Sequence, residues 1–477
     1  MRTLVEEQAN QIVEQAVLIE EQTKLIEAMR SQMTELLARL SMTSRNSSKP
    51  PSSDGYTKPA PKSRRVKSGK PPGKQPGDPG HHLAQRTDPD ATIIHAPPTC
   101  GRCGEDLSDA EVIETLTRQV FELPSMALHC TEHQAQRKRC HCGTLTTGEF
   151  ASEATAPACY GPALRAYVCY LVTRQHIPIA RVAELLHDTY TASVSTGAIV
   201  AMVAEGAGLL DGFLGEVQAQ LRTAKVVHAD ETGLRVNALL AWVHAVSTTD
   251  LTLYHLDTRR GTTAMDDMGI LEHLTGVLVH DGWVPYRHYD GVAHQLCNAH
   301  HLRELAAAAQ TDGQTWASDM ATLLSDAWHL VLEAKDDGQH RLDDQELARI
   351  RTNYRAVIDA GHEVNLPPVP TGRRGRTKRS KAHNLLDRLD VHMDDVLRFV
   401  TDFSIPFDNN LAERDIRMAK IAQKISGGFR STEGAESFLA FRSYLSTTAK
   451  QGVNRLEALQ QLFIGEPWMP APSGTSP

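Results

Sequence analysis

The stretch AKVVHADETGLRV, residues 224–236, decides the fold because it predicts a β-strand run whose apolar part ends at Asp230. A second run of the same kind, TGVLVHDGW at residues 275–283, ends its apolar part at Asp281. Far downstream, IPFDNNLAERDIR at residues 405–417 predicts a helix that carries Glu413. Two strand ends and a helix thus deliver three carboxylates, and such a trio suggests a site for divalent metal.

The segments around the first run predict a sheet. AKVVHAD, LLAWVHAVS and LTLYHLD are separated by short turns, which indicates an antiparallel meander. A helix over about 262–274, a parallel strand TGVLVHD, a further strand VAHQLCN and the helix HHLRELAAAA follow. This is the order of a ribonuclease-H-like α/β fold, in which the ends of the first and fourth strands lie side by side. We therefore expect Asp230 and Asp281 to meet.

Length and charge set the wider limits. At 477 residues the chain is too long for one core, so two to four units are expected. The start, MRTLVEEQANQIVEQ, carries charges where a signal peptide is apolar, and no segment is apolar enough to span a membrane, which predicts a cytoplasmic protein. The net charge of -8 is uneven: residues 44–75 hold nine Lys/Arg and one acidic residue, and residues 373–381 hold six basic residues. Such clusters favour a polyanionic partner.

Residues 1–42 predict a helix, because apolar residues recur every seven positions from Val5 to Leu40 without Gly or Pro. We interpret it as a coiled coil that joins copies of the chain; a helix packed on its own catalytic domain is the alternative. Residues 43–90 are rich in Pro, Gly and basic residues, which predicts a flexible linker. Its charges either follow a DNA backbone or serve as a solvated tether.

Residues 91–150 contain two close cysteine pairs, in PTCGRCGEDL and RKRCHCGTL, with a strand-rich interval between them. Four thiolates on two facing hairpins would make a zinc ribbon, and a closed four-ligand site is structural. His141 or Cys130 could replace one ligand because the second pair is shorter, and chance clustering of reduced thiols is the alternative. The predicted zinc ligands are Cys100, Cys103, Cys140 and Cys142.

The pattern of residues 151–223 predicts helices, with Ser195 as an N-cap. Residues 177–203 are either a helix-turn-helix that reads DNA or a helix pair that serves only for packing. Residues 311–400 predict a helical insertion that includes the second basic cluster. In CNAHH, Cys297 and His300 raise the question of a metal site, but two ligands without a second pair are weak evidence. A buried thiol beside a hydrogen-bonded histidine is the preferred interpretation.

The trio has a chemical rationale. Displacement at a phosphodiester needs the attacking oxygen activated and the leaving oxygen neutralised, and two divalent ions can do both. Asp230 would bridge the ions, with Asp281 and Glu413 each completing one site. Pattern alone does not reject four nearby carboxylates, those of Glu231, Asp290, Asp408 and Asp415.

Residues 44–460 resemble the transposases of insertion-sequence family sixty-six, a bacterial group with a DDE catalytic trio. The motifs that carry the resemblance are NSSKPPSSDG, GKPPGKQPGDPGH, the cysteine pairs, HADETGLRV, VHDGWVPYRHYDG, QLCNAHHLREL, TGRRGRTKRSKAHNLLDRL, FDNNLAERDIRMAKIAQKISGGFRS and SYLSTTAKQG. By this resemblance the DDE positions are Asp230, Asp281 and Glu413. The shortened second cysteine pair departs from the family pattern.

The pattern predicts a core split into residues 224–310 and 401–460 and a flexible tail at 461–477, and the resemblance implies a transposase. It implies catalytic Mg²⁺ or Mn²⁺, structural Zn²⁺, inverted-repeat and target DNA as partners, a homo-oligomer and accessory proteins of the same element, in a bacterial cytoplasm at the nucleoid. A nuclease that does not join DNA, or a DNA-binding protein without activity, are the alternatives. The basic residues expected to contact DNA are Arg373, Arg374, Arg376, Lys378, Arg379, Arg414, Arg417, Lys420, Lys424 and Arg430.

Overall fold

The computed structural model describes residues 15–27, 29–30, 32–33, 36–37, 77, 83–124, 126–367 and 379–471. The chain divides into two compact units, Lys58–His129 on its own and Met1–Thr57 together with Cys130–Pro477. Most of the predicted linker lies outside the described residues. So do four of the predicted DNA contacts, Arg373, Arg374, Arg376 and Lys378.

The N-terminal helix is confirmed where the structure describes it. Residues 15–27 are helical (α1), and Val17, Ile19 and Ile26 are each more than half exposed. Exposed apolar side chains at heptad spacing are typical of a helix that pairs with another. The coiled coil itself stays a prediction.

The unit Lys58–His129 contains neither helix nor strand in its described part. An isolated bridge between Thr99 and Asp106 closes a turn around the first cysteine pair. The prediction of strands between the two cysteine pairs is therefore wrong for the described residues before Arg137. Side chains such as Val112, Ile113 and Val120 remain largely exposed, and strand propensity without a partner to pair with does not form a ladder.

The larger unit opens with a hairpin and a group of helices. Strands β1 (Arg137–Arg139) and β2 (Leu145–Thr147) pair antiparallel. The helices α2 (Pro162–Cys169), α3 (Ile179–Tyr190), α4 (Thr196–Gly208) and α5 (Asp211–Arg222) follow, with a π-helical turn at Tyr170–Arg174. Ser195 caps α4 as predicted, since its hydroxyl accepts from the Ala198 N–H at 3.1 Å. Both helices of the predicted helix-turn-helix exist, and DNA reading by them stays a prediction.

A mixed five-stranded sheet forms the centre of this unit. Its strands are β3 (Val226–Val236), β4 (Leu239–Ser247), β5 (Thr252–Asp257), β6 (Val277–His280) and β7 (Ala293–Leu296), in the order β5-β4-β3-β6-β7. The β3–β4 and β4–β5 pairs are antiparallel, whereas β3–β6 and β6–β7 are parallel. The predicted meander, parallel fourth strand and fifth strand are confirmed. The fold is mixed α/β.

The predicted helix over 262–274 is shorter in the structure. Helix α6 (Thr262–Asp267) ends before Gly269, and a 3₁₀ turn covers Leu271–His273. Gly269 has a φ of +64°, which a continuing right-handed helix does not allow. The glycine therefore ends the helix and turns the chain towards β6.

Alternation along β3 divides the core in two. Val227 and Ala229 pack with α5, and Leu234 and Val236 pack on the opposite face. That opposite face is covered by α12 (Asn410–Ser426) and α13 (Thr432–Lys450). Because side chains alternate along a strand, Asp230 shares the α12 face with Leu234, and its neighbour Glu231 points to the other.

Helices cover both edges of the sheet. On β5, the backbone N–H groups of Thr252 and Tyr254 donate to the hydroxyls of Thr447 and Ser443 on α13, at 3.0 and 3.1 Å. At the other edge, the Arg398 Nε–H donates to the His294 carbonyl on β7 at 2.7 Å. These three outer polar groups of the edge strands are thus not free to pair with a further strand.

The predicted helical insertion is confirmed as helical in its described part. Helix α7 (Asn298–Asp312) follows β7, and α8 (Thr315–Asp336), α9 (Asp344–Val364), α10 (Lys381–Val391) and α11 (Met393–Thr401) pack around Trp316, Tyr354, Leu386 and Phe399. The last helix, α14 (Arg455–Phe463), packs on α2.

Among the described residues no single helix is long and apolar enough to cross a membrane. Helices α4 and α5 together have the length and apolar composition of a membrane span, but the two are bent by 45° relative to each other.

Candidate active site

Strands β3 and β6 place Asp230 and Asp281 at the same level. His228 is in register with Val279, and each aspartate lies two residues further along its own chain. The sequence predicted that the first strand ends at Asp230, and this is wrong, because β3 continues to Val236 through its pairing with β4. What ends near Asp230 is the pairing with β6. Asp230 therefore lies where two parallel strands separate.

Helix α12 lies along the part of β3 that continues past Asp230. The Lys420 ammonium donates to the Gly233 carbonyl of β3, and the Gln423 side chain accepts from the Arg235 N–H at 2.9 Å. Beyond α12, Phe429 forms a parallel bridge with Val236. Gly428 permits this approach, because a Cβ there would lie 2.8 Å from the Arg235 carbonyl oxygen. These contacts hold α12 along β3.

Glu413 lies in the first turn of α12, beside the two aspartates. Its Oε1 is buried and has no hydrogen-bond partner, although His300 Nδ1 and Arg303 Nη2 both lie 3.6 Å away. Burial raises the pKa of Glu413, and the negative charges of Asp408 and Asp281 act in the same direction. Arg303 and Arg417 oppose that rise.

Asp230 is the most strongly perturbed member of the trio. Burial, followed by the charges of Glu231, Asp281 and Glu413, raises its pKa well above the usual range. Each member of the predicted trio is thus electrostatically coupled to at least one other, and the structure brings the three together. Converging carboxylates without a cation between them repel each other, and this arrangement suits a multivalent cation.

Asn409 is a buried residue whose role the sequence did not reveal. Its Nδ2–H donates to the Ala229 carbonyl at 2.8 Å, and its Oδ1 pairs with His228 Nδ1 at 2.9 Å. Its backbone N–H donates to Cys297 Sγ at 3.1 Å. The Asn409 side chain bonds to β3 and makes no cap bond to α12. It therefore ties the start of α12 to the strand that carries Asp230.

The structure separates the trio from the four competing carboxylates. Glu231 accepts from Tyr286 Oη at 2.6 Å and from Arg260 Nη2 at 2.7 Å, on the other face of the sheet. Asp415 pairs with Lys450 at 2.7 Å. Asp408 accepts from the Asn410 N–H at 3.1 Å, and Asp290 is exposed. Asp230, Asp281 and Glu413 lie close together, and no cationic side chain in the described part of the chain lies within hydrogen-bond distance of them. None of the four competing carboxylates shares both properties.

Basic side chains line α12 beyond Glu413. Arg414, Arg417 and Lys424 are exposed, as is Arg430 after the helix. Lys420 is half-buried and bonded to β3, so in this structure its ammonium stabilises the helix–strand contact. In the insertion, Arg379 pairs with Asp387. The exposed members offer charge to a polyanion next to the carboxylates.

The two cysteine pairs form similar turns, each in its own unit. The Cys100 N–H donates to the Glu105 carbonyl and the Cys140 N–H to the Thr144 carbonyl, both at 2.8 Å. Hydrogen bonding by Thr144 lowers the pKa of Cys142 to about 7. The backbone N–H of Cys103 lowers the pKa of Cys100. Both turns favour thiolates, the form that binds metal, and zinc binding stays a prediction.

Comparison with known protein families gives two matches. The chain matches the family model described as "Transposase IS66 family" over residues 157–437, a range that includes Asp230, Asp281 and Glu413. Residues 2–84 match a family of unknown function (DUF6444). No curated protein matches the chain.

Proposed function

The chain belongs to the transposase IS66 family, and from this premise we propose that it cuts the ends of its insertion sequence and joins them to target DNA. Asp230, Asp281 and Glu413 would form the one site for both steps. The observation that carries the proposal is their convergence where β3 and β6 separate, with the pKa of Asp230 raised by burial and then by the neighbouring carboxylates. We assign the sheet, with its order β5-β4-β3-β6-β7, to a ribonuclease-H-like core.

The donor set fits Mg²⁺ or Mn²⁺. The three side chains offer oxygen atoms, and the buried Glu413 Oε1 lacks a hydrogen-bond partner. Asp230, Asp281 and Glu413 would hold such ions, which would supply activation of an attacking oxygen and neutralisation of a leaving one. The sequence also predicts structural zinc at Cys100, Cys103, Cys140 and Cys142.

The residues of the chain perform the remaining tasks. Asn409 fixes the distance between β3 and the first turn of α12, and so between Asp230 and Glu413. The exposed Arg417 and Lys424 would hold phosphates of the strand being cut, since they follow Glu413 along the same helix. Arg260 neutralises Glu231, which keeps that carboxylate from the cations of the site.

Partners beyond DNA follow from the sequence. The exposed heptad positions of α1 would join copies of the chain, and accessory proteins of the element would take part. A protein that acts on chromosomal DNA in this way would be found with the nucleoid.

The test is a strand-transfer assay on linear DNA that bears the flanking ends of the protein's own locus, with and without Mg²⁺. We expect Asp281→Asn to lose cleavage and joining by at least about a hundredfold while it retains end binding. Asp290→Asn is the matched control, because Asp290 is exposed nearby. Cleavage retained in Asp281→Asn would refute the site.

The alternatives give different products in the same assay. A nuclease without strand transfer would yield cut ends and no joined product. A DNA-binding protein without activity would shift the ends on a gel and cut nothing at any Mg²⁺ concentration.

A further inference from the structure

Three potential metal ligands lie close together, and one of them is Glu413 of the catalytic trio. Cys297 ends the β7 segment, His300 lies in the first turn of α7, and Glu413 approaches from α12. One ligand atom from each lies within 4.8 Å of the other two. We propose that Cys297, His300 and Glu413 bind a divalent transition-metal ion of the zinc class, which prefers sulfur and nitrogen ligands. The proposal goes beyond the proposed function. The two share Glu413, but this one rests on the geometry of the three ligands.

The sulfur atom lies in a surrounding that suits a metal-bound thiolate. Cys297 is fully buried, and its Sγ accepts from the Asn409 backbone N–H at 3.1 Å. An ion that binds here would release the thiol proton to solvent, and the Asn409 N–H would then stabilise the thiolate.

The imidazole has a buried ring nitrogen that is free to bind an ion. Its Nδ1 is buried and has no hydrogen-bond partner. The sequence predicted a hydrogen-bonded histidine at this position, and for Nδ1 this is wrong.

The carboxylate completes the set. Glu413 Oε1 is also buried without a hydrogen-bond partner, and it lies 3.6 Å from His300 Nδ1, which is too far for a hydrogen bond. Buried polar atoms in proteins are nearly always satisfied, so two facing orphans indicate a ligand between them. A bound ion would satisfy both at once.

Arg303 is the cation that an incoming metal must displace. Its Nη2 lies 3.6 Å from Glu413 Oε1, and its Nε–H donates to the Ala299 carbonyl of its own helix at 3.2 Å. The side chain is a quarter exposed, so its guanidinium has solvent to move into. Ligand atoms of one tetrahedral zinc ion lie about 3–4 Å apart. Side-chain rotations that bring the three ligand atoms about an ångström closer together would therefore close the site. The fourth position is left to water, as in an open site.

The test is a titration of the metal-free full-length protein with Co²⁺, which gives a sulfur-to-metal absorption band when a thiolate binds. We expect Cys297→Ser to lose one Co²⁺ per chain and its share of the band. The zinc-ribbon cysteines are common to both proteins and cancel in the difference spectrum. Cys169→Ser is the matched control, because Cys169 is equally buried and lies on α2.

Further variants keep the outcome decisive. His300→Gln, which retains the thiol, should weaken binding of this ion at least tenfold, even if Cys297→Ser does not fold. Asp230→Asn should retain the ion while it loses DNA cleavage, so the two proposals fail separately. Equal Co²⁺ stoichiometry and spectra in wild type, Cys297→Ser and His300→Gln would overturn the proposal.

Discussion

At the scale of single residues, the position of Glu413 depends on the side-chain amide of Asn409. This amide contacts β3, which lies more than a hundred residues earlier in the chain. Asn409 bonds to both His228 and Ala229, and Glu413 follows one helical turn later. The sequence identified the carboxylates by their motifs. It did not identify Asn409, His300 or Arg303 as their neighbours, because these contacts arise only when α7 and α12 pack beside β3.

Replacing Asn409 tests this arrangement. In Asn409→Ala the His228 ring nitrogen and the Ala229 carbonyl lose buried partners, so we expect a loss of about 2–4 kcal/mol in the free energy of unfolding. DNA cleavage should fall with it. Urea denaturation measures the stability change. Asn410→Ala is the control, because that amide is exposed, and it should change stability by less than about 0.5 kcal/mol. Equal stabilities of the two variants would contradict the proposed role.

His176 gives a prediction for pH. Burial lowers its pKa from 6.5 to about 4, with Arg442 and Arg174 acting in the same direction, and neither ring nitrogen has a hydrogen-bond partner. Between these two values the unfolded chain binds a proton that the folded chain does not bind, so stability falls as the pH drops from about 6.5 towards 4.

The variant His176→Asn removes this titration, and asparagine tolerates the φ of +56° at this position. We expect the stability loss between pH 7 and pH 5 to be smaller in the variant by about 1 kcal/mol, a value reduced because the ring is only half-buried. Urea denaturation at the two pH values measures this difference. Parallel losses in the two proteins would show that His176 does not contribute.

At the scale of elements, hydrophobic patterning predicted what is local and missed what depends on a partner. The strands and the insertion helices follow from runs of apolar residues, and all five strands of the sheet were predicted in order. The extension of β3 beyond Asp230 was not, because the residues that follow, Glu231 to Arg235, become a strand only through pairing with β4. Conversely, residues 107–124 and 126–136 have strand-like composition and stay irregular without a partner strand.

The closeness of β3 and β6 depends on Gly276. A Cβ at this position would lie 2.2 Å from the Ala224 carbonyl oxygen and 2.5 Å from that of Lys225. We expect Gly276→Ala to push β6 away from β3 and to lower the free energy of unfolding by about 2–4 kcal/mol. Thermal unfolding measures this change. Separation of the strands would also move Asp281 away from Asp230 and reduce cleavage.

Gly291→Ala is the control for this change, because a Cβ at Gly291 meets no heavy atom within 4 Å. A Gly276→Ala protein as stable and active as this control would show that the strands tolerate the added methyl group.

At the scale of the whole molecule, we propose that the N-terminal helix joins copies of the chain. The heptad pattern covers residues 1–42, and the described part of α1 leaves its apolar side chains exposed. We expect removal of residues 1–42 to lower the mass measured by light scattering to that of one chain. The core should keep its melting temperature, because its hydrophobic clusters include none of the described residues of this helix. An unchanged oligomeric mass would place the interface elsewhere.

The hydroxyl groups of α13 that occupy the outer edge of β5 have a consequence for handling the protein. Together with Arg398 at β7, they leave neither end of the sheet available as a template for a foreign strand. Domain swapping and fibril growth through this sheet would first require α13 or α11 to detach. Concentrated samples should therefore remain free of amyloid-type aggregates until the temperature approaches global unfolding.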